Sequence, residues 1–204
     1  MYIQAAGNRC AFDLSSVDIP LQRRDIVRKL SELGFKTLDI DVVQAAEQAV
    51  GISTYKRGAR MSQAPTEMDC SGFIKWVYAQ RGIRVPRRAA HQKIMAISVH
   101  MDAIRPGDLV FTAGPVCPPI GHEQARVGHV GIVCRDETVL HATTEIPGGI
   151  VRSSLMDWKR RTSWRGAGRV LQHPEDTITL EVPPSLEIES SDDITWALLE
   201  TMDW

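Results

Sequence analysis

The sequence predicts an α+β fold in which helices from the first half of the chain pack on an antiparallel sheet from the second half. Two observations carry this prediction. Apolar residues recur with helical spacing before Pro106-Gly107, and the pattern changes to strand-like alternation after it. Helices followed by strands, without internal repeats, are typical of α+β domains. The length of 204 residues, of which 43% are hydrophobic and 24% charged, suits one domain with appendages.

Four helices are predicted in the first half. The first follows Pro20 and ends at Gly34, because its apolar side chains share one face and glycine favours a helix end. The predicted ranges are 21–33, 41–50, 70–81 and 86–97. The polar segment between the second and third helices, Ser53 to Thr66, is predicted to be a loop.

Five strands are predicted after Pro106-Gly107, because short runs rich in β-branched residues are separated by turn residues. They cover 108–112, 128–134, 138–143, 149–152 and 164–171. A loop of 15 residues, 113–127, separates the first two. Most connections between elements are shorter, which indicates a functional or mobile loop.

The charge is distributed in two blocks. The last 32 residues, 173–204, carry nine acidic and no basic side chains, whereas residues 1–172 carry 24 basic and 16 acidic ones. Because the arginines are dispersed and no aromatic-rich motif accompanies them, the sequence does not favour a nucleic-acid partner. The acidic tail ends in an amphipathic segment with Trp196, Leu199 and Met202 on one side, for which we expect docking on its own domain or on a second copy.

The sequence also predicts the compartment. No apolar run approaches the ~18 residues that a membrane helix requires, so we expect no membrane association. Met1 to Arg24 lacks a basic start followed by an apolar stretch, and the four cysteines show no paired spacing. We therefore expect a cytoplasmic protein, with delivery by a phage particle or a specialised secretion machine as the alternative.

Cys70 is the candidate nucleophile. The segment Asp69-Cys70-Ser71-Gly72-Phe73 follows a loop and opens an amphipathic helix. A cysteine in the first helical turn lies in the positive field of the helix dipole, which predicts a lowered thiol pKa. The backbone N–H groups there could also stabilise an oxyanion. The alternative is a buried, unreactive cysteine.

Two histidines in neighbouring predicted strands could complete a catalytic group. His129 lies in Gly128-His129-Val130-Gly131, and His141 follows Leu140. If the hairpin loop between the strands has an odd number of residues, both side chains lie on the same face as diagonal neighbours. One imidazole could then act as a base while the other orients it. An even loop would place them on opposite faces and leave two unrelated histidines.

These segments, in this order, resemble the NlpC-type cysteine peptidases of bacterial cell-wall metabolism. The matching positions are Tyr55, Asp69 to Phe73, Gly82 to Arg87, Arg105 to Phe111, Gly128 to Ile132 and Leu140 to Ala142. The resemblance implies a papain-like core over 39–171, flanked by an N-terminal helical extension (1–38) and an acidic C-terminal tail (172–204). The chain departs from the family after Tyr55, where two glycines are usual, and in the loop 113–127.

The resemblance implies a function. Cys70 would be the nucleophile, His129 the general base and His141 the orienting residue of a cysteine peptidase. This enzyme would hydrolyse an amide in peptidoglycan-derived stem peptides, commonly between D-glutamate and a diamino acid, without a cofactor. Tyr55 would contact the substrate or the oxyanion, and Asp69 and Ser71 would bind a free peptide amine.

Other readings stay open. Asp69 and Ser71 could simply cap the helix, and for Arg87 and Asp108 we expect packing or turn chemistry. Cys117, His122, His129 and His141 could instead ligate zinc. The same core could carry a thiol acyltransferase or a deamidase, and a phage-tail or effector component with an inactive site is a third possibility.

Overall fold

The computed structural model describes residues 2–114, 126–145 and 148–202. The chain forms two compact units. The first combines Met1–Asp41, Tyr78–Arg84 and Leu171–Trp204, and the second combines Val42–Val77 and Val85–Val170. Within the described ranges, none of the helices has both the length and the apolar character needed to cross a membrane.

All four helices predicted in the first half are present, with shorter bounds. The helices of the described ranges are α1 (Arg23–Glu32), α2 (Val42–Glu47), α3 (Cys70–Gln80), α4 (Ala89–Met95), α5 (Leu155–Arg160) and α6 (Ser191–Leu199). Helix α4 is shorter than predicted because Arg88 is extended and Ile97 already begins a strand. Helix α5, of six residues, is not predicted by the sequence pattern.

The predicted antiparallel sheet lies in the second unit. Its described strands follow the order β5-β10-β6-β7-β8-β9. They are β5 (Ile97–Val99), β6 (Leu109–Ala113), β7 (Val127–Val133), β8 (Thr138–Thr143), β9 (Gly149–Ser154) and β10 (Trp164–Arg169). Neighbouring strands pair antiparallel throughout. The mixed helix and antiparallel sheet confirm the predicted α+β class.

Packing and one buried ion pair hold this sheet in place. Helix α5 covers it with Trp158, which packs with Val110 and Val139. Asp108, which is buried, accepts a hydrogen bond from the Arg105 N–H at 2.8 Å and two from the Arg169 guanidinium. The turn role expected for Asp108 is therefore confirmed, and the pair fixes β6 beside β10.

The first unit contains a smaller sheet that the sequence pattern does not predict. Strand β11 (Thr177–Glu181) lies between β1 (Arg9–Asp13) and β2 (Lys36–Leu38), and both pairs are antiparallel. Helices α1 and α6 contribute to its core. The fully buried members of this core include Phe12, Leu30, Leu180 and Leu198.

The expected division into a helical extension 1–38 and a tail 172–204 is therefore wrong. The two ends of the chain form one unit, in which Cys10 pairs with Leu180. Local periodicity cannot reveal a strand pair between residues so distant in sequence. The second unit, Val42–Val77 with Val85–Val170, lies inside the expected 39–171.

The C-terminal helix is present, but the expected docking face is only partly right. Helix α6 packs on its own unit through Ile194 and Leu198, which are fully buried, with Leu199 and Met202 partly buried beside them. Trp196 is 67% exposed on the opposite side. Asp203 and Trp204 lie outside the described residues.

Candidate active site

The hairpin of β7 and β8 decides where the two histidines lie. Ile132 pairs with Leu140, and the Cys134 N–H donates to the Thr138 carbonyl at 2.8 Å, which leaves a three-residue loop. The last loop residue, Glu137, has a φ of 57°, as a turn of this length requires. The loop is odd, so His129 and His141 share one face of the sheet.

The two imidazoles are in direct contact. His129 Nε2 lies 2.9 Å from His141 Nδ1, which is a hydrogen-bond distance, and the ring planes are nearly perpendicular. Gly131 makes room for this contact. A Cβ there would lie 2.4 Å from Val139 Cγ1 and 3.2 Å from His141 Cβ. A side chain at Gly131 would therefore force Val139 to move and would also press on His141.

The second ring nitrogen of His141 has a partner on the next strand. His141 Nε2 lies 2.8 Å from the Ser153 hydroxyl oxygen. On β9, Val151 stands opposite His141, so Ser153 is its diagonal neighbour on the same face. A line of polar groups thus crosses three adjacent strands, from His129 through His141 to Ser153.

Trp158 packs against both histidines. Its ring centre lies 5.4 Å from that of His129, nearly parallel to it, and 5.1 Å from that of His141 at a steep angle. The Arg161 guanidinium lies 5.2 Å from the same indole centre. These contacts restrict both imidazoles, because aromatic rings at such distances pack in specific orientations.

Burial keeps both histidines neutral. Burial first, and then the positive charge of Arg161, lower the pKa of His129 to about 4. Burial, then His129 and then Arg161 lower the pKa of His141 to about 3. At neutral pH each ring therefore has one N–H donor and one nitrogen lone pair.

Cys70 lies next to the start of β7. It is the first residue of α3 and is 8% exposed. Its Sγ lies 4.0 Å from the carbonyl oxygen of Gly128, the residue immediately before His129. The fold thus brings the predicted nucleophile to the same end of β7 as the predicted base.

The expected lowering of the Cys70 pKa is wrong. Burial first, and then the nearby negative charge of Asp69, raise the pKa of this thiol to about 11. The backbone N–H groups of Val130 and Ser71 oppose it without cancelling it. Desolvation of the thiolate exceeds the helix-start effect because the side chain is almost completely covered.

Asp69 caps helix α3 and is held by Arg87. Its carboxylate accepts hydrogen bonds from the Gly72 N–H at 2.7 Å and the Gly58 N–H at 2.9 Å. The Arg87 guanidinium donates to both carboxylate oxygens and also to the Ser71 hydroxyl, the latter at 3.0 Å. These bonds support the capping interpretation of Asp69, and they occupy the groups expected to bind a peptide amine.

Tyr55 reaches the site through a short parallel strand pair that begins within the predicted loop and ends just after it. Strand β3 (Thr54–Tyr55) pairs with β4 (Glu67–Met68), so Tyr55 stands beside Met68, two residues before Cys70. Burial raises the pKa of Tyr55, and the charges of Cys70 and Asp69 raise it further. Tyr55 therefore remains a neutral hydroxyl donor close to the candidate nucleophile.

The zinc alternative gains no support from the geometry. Cys117 and His122 lie outside the described residues, and His129 and His141 bond to each other. Elsewhere in the described ranges, His173, Glu175 and Asp176 have metal-ligand spacing, but His173 and Glu175 are exposed and the half-buried Asp176 pairs with Arg23.

The structure adds Ser153, Trp158 and Arg161 to the residues singled out by the sequence. Ser153 lies two residues after Val151 on the same face of β9, but the predicted strand ended at Arg152, one residue before it. Trp158 is completely buried. Its contact with the histidines depends on α5 folding back across the sheet, for which the sequence gives no local signal.

Known proteins share this fold and these segments. The profile of the NlpC/P60 family matches residues 53–165. The gamma-DL-glutamyl hydrolase of Bacillus subtilis is 34% identical over 93 residues, 45% of this chain and 22% of that protein. The gamma-D-glutamyl-L-lysine dipeptidyl-peptidase of Bacillus cereus is 32% identical over 76 residues, 36% of this chain and 20% of that protein.

A solved structure is similar to a larger part of the chain. An NLP/P60 family protein from Staphylococcus aureus, described as similar to lipoprotein, has a TM-score of 0.51 and 27% identity over 67% of this chain and 44% of that one. The chain spans only about a fifth of the length of the two curated relatives. Because the family profile covers more than half of the sequence, the chain belongs to the NlpC/P60 family.

Proposed function

We propose that this protein is a cysteine peptidase that hydrolyses an amide in peptidoglycan-derived stem peptides, at a D-glutamyl–diamino acid bond. The observation that carries the proposal is the His129–His141 hydrogen bond of 2.9 Å beside a cysteine at a helix start. The names of the glutamyl-bond hydrolases to which the chain is similar support the substrate class.

In the proposed mechanism, the resting pair is a neutral thiol and a neutral imidazole. The raised pKa of Cys70 and the lowered pKa of His129 disfavour a stable thiolate–imidazolium pair. His129 therefore takes the Cys70 proton as sulfur attacks the substrate carbonyl, and it returns that proton to the leaving amine. Water, deprotonated by His129, then releases the thioacyl group as a carboxylic acid and regenerates the thiol.

Substrate contacts differ among the predicted binding residues. We assign direct contact to Tyr55, whose neutral hydroxyl can donate to the substrate or the oxyanion. For Asp69 and Ser71 we assign a positioning role without direct substrate contact, because a peptide ammonium would have to displace Arg87 from both of them. Soluble cell-wall fragments in the cytoplasm are the proposed substrates, and delivery to the wall by a phage or a secretion machine is the alternative.

Defined stem peptides with different diamino acids test the proposal. Mass spectrometry should show cleavage by the wild-type protein and none by Cys70→Ala or His129→Ala. His141→Asn should keep some activity, because an amide oxygen can still accept a hydrogen bond from His129. Cys134→Ala is the matched control, since this cysteine is buried in the apolar sheet. Products that retain an added amine instead of water would identify an acyltransferase.

A further inference from the structure

We infer that Ser153 is a positioning residue. Its hydroxyl oxygen accepts a hydrogen bond from the Nε2–H of His141, and this allows His129 to become protonated. The inference rests on the proposed role of His129 as base. It is carried by the continuous line of atoms His129 Nε2, His141 Nδ1, His141 Nε2 and Ser153 Oγ, in which consecutive contacts between residues are 2.9 and 2.8 Å.

While both rings are neutral, the hydrogen bonds along this line can run in either of two directions. In one, the His129 Nε2–H donates to His141 Nδ1, and the His141 Nε2–H donates to Ser153. In the other, the Ser153 hydroxyl donates to His141 Nε2, and the His141 Nδ1–H donates to His129. A hydroxyl serves either direction because it is both a donor and an acceptor.

Protonation of His129 removes this choice. Once the ring carries hydrogens on both nitrogens, its Nε2–H must donate to His141 Nδ1. His141 must then hold its own hydrogen on Nε2, and that hydrogen needs an acceptor because His141 is buried. The Ser153 oxygen is the acceptor at hydrogen-bond distance. Ser153 is only half-buried, so its hydroxyl hydrogen can turn towards solvent.

The surroundings make this acceptor important. Arg161, at the end of α5, is the charged group whose positive field acts on both rings and disfavours the imidazolium. Cys70, at the start of α3, is the titratable group beside β7. Without Ser153, a proton arriving at His129 would leave the buried Nε2–H of His141 unpaired among the described residues.

Four variants test the inference. Ser153→Ala removes the acceptor and should lower kcat roughly 2- to 10-fold with little change in KM, as expected for one neutral hydrogen bond. Ser153→Thr keeps the hydroxyl and should restore most of kcat. Ser153→Asp can only accept and adds a negative charge, so it should move the acid limb of the kcat profile to higher pH. The control is Ser98→Ala, because Ser98 is an exposed serine on β5, at the opposite edge of the sheet from β9.

Nitrogen-15 spectra of the histidine rings provide a readout independent of hydrolysis, because they report which ring nitrogen carries the hydrogen. Ser153→Ala should change the His141 signals and make His129 harder to protonate, whereas Ser98→Ala should do neither. The inference would be overturned if folded Ser153→Ala had the kcat, the pH profile and the ring signals of the wild type. It would also be overturned if the acid limb of the kcat profile did not move to higher pH in Ser153→Asp. If no stem peptide is cleaved by the wild type, the proposed function fails, and the ring spectra still decide the role of Ser153.

Discussion

The guanidinium of Arg161 lies 5.2 Å from the ring centre of Trp158, and this indole is stacked on His129. A cation and the proposed catalytic base are therefore held against one buried aromatic side chain. The arrangement aligns the imidazole and disfavours its charged form, which suits a base that starts from the neutral state.

Replacing Arg161 should raise the pKa of both histidines. Arg161→Gln removes the positive charge that disfavours the imidazolium, so the acid limb of the pH–kcat/KM profile should move to higher pH. Arg160→Gln is the matched control, because the neighbouring arginine is exposed and does not lie over Trp158. An unchanged acid limb in Arg161→Gln would show that its charge is screened by solvent.

Alkylation of Cys70 should depend steeply on pH. With the thiol pKa raised to about 11 and the His129 pKa lowered to about 4, no stable ion pair exists near neutrality. The rate with iodoacetamide should therefore rise continuously from about pH 6 to about pH 10. Cys70→Ser gives the background from Cys10, whose pKa burial raises to about 12, and from the other cysteines. A plateau across this range would instead reveal a thiolate–imidazolium pair.

A methyl group at Gly131 should displace His141. Gly131→Ala places a Cβ against Val139 and His141, which should cost about 1–3 kcal/mol of stability and most of the activity. Val139→Ala in the same chain removes the closest atom and should recover part of the stability. Thermal unfolding and peptide cleavage are the measurements. Full activity of Gly131→Ala would mean that the close fit is not needed.

Breaking the Asp69–Arg87 pair should destabilise the helix start. Arg87→Leu leaves a largely buried carboxylate without its cation and should cost about 3 kcal/mol, measured by denaturant unfolding. Arg87→Lys keeps the charge but not the two-point contact, so it should cost less. Arg88→Leu, at an exposed neighbour, should change stability by no more than about 0.5 kcal/mol.

The same pair predicts a pH dependence of stability. The pKa of Asp69 lies below the ordinary aspartate value of 3.8, because hydrogen bonds from Arg87 and Gly72 outweigh the effect of burial. The stabilisation is therefore complete above 3.8 and is lost as the pH falls further towards the folded-state pKa. The difference in stability between wild type and Arg87→Leu should shrink in this acid range. A difference that stays constant into strong acid would contradict the assignment.

The first unit should depend on the buried face of α6. Leu198→Ala should cost about 2–5 kcal/mol, because its side chain is completely buried in the core around Phe12 and Leu180. Trp196→Ala, on the exposed face of the same helix, should cost no more than about 0.5 kcal/mol. Hydrogen exchange of β1 and β11 measures both effects. Equal effects of the two substitutions would show that the exposed face of α6 also stabilises this unit.

The sequence alone determined several parts of this protein. Periodicity predicted α1 and the strands β6 to β8 because both signals are local and depend on residues a few positions apart. The helix start at Cys70 and the turn role of Asp108 were predictable for the same reason. The order of the segments around Cys70, His129 and His141 was sufficient to identify the family.

The tertiary structure decided what depends on distant residues. It paired β1 with β11 and thereby joined the two ends of the chain into one unit. It also fixed the odd loop that brings His129 to His141, and it placed Ser153, Trp158 and Arg161 around them. The Cys70 thiol shows the physical reason most clearly. Its place at a helix start predicted a lowered pKa, but burial by the whole fold raised it, because desolvation is set by every atom that excludes water.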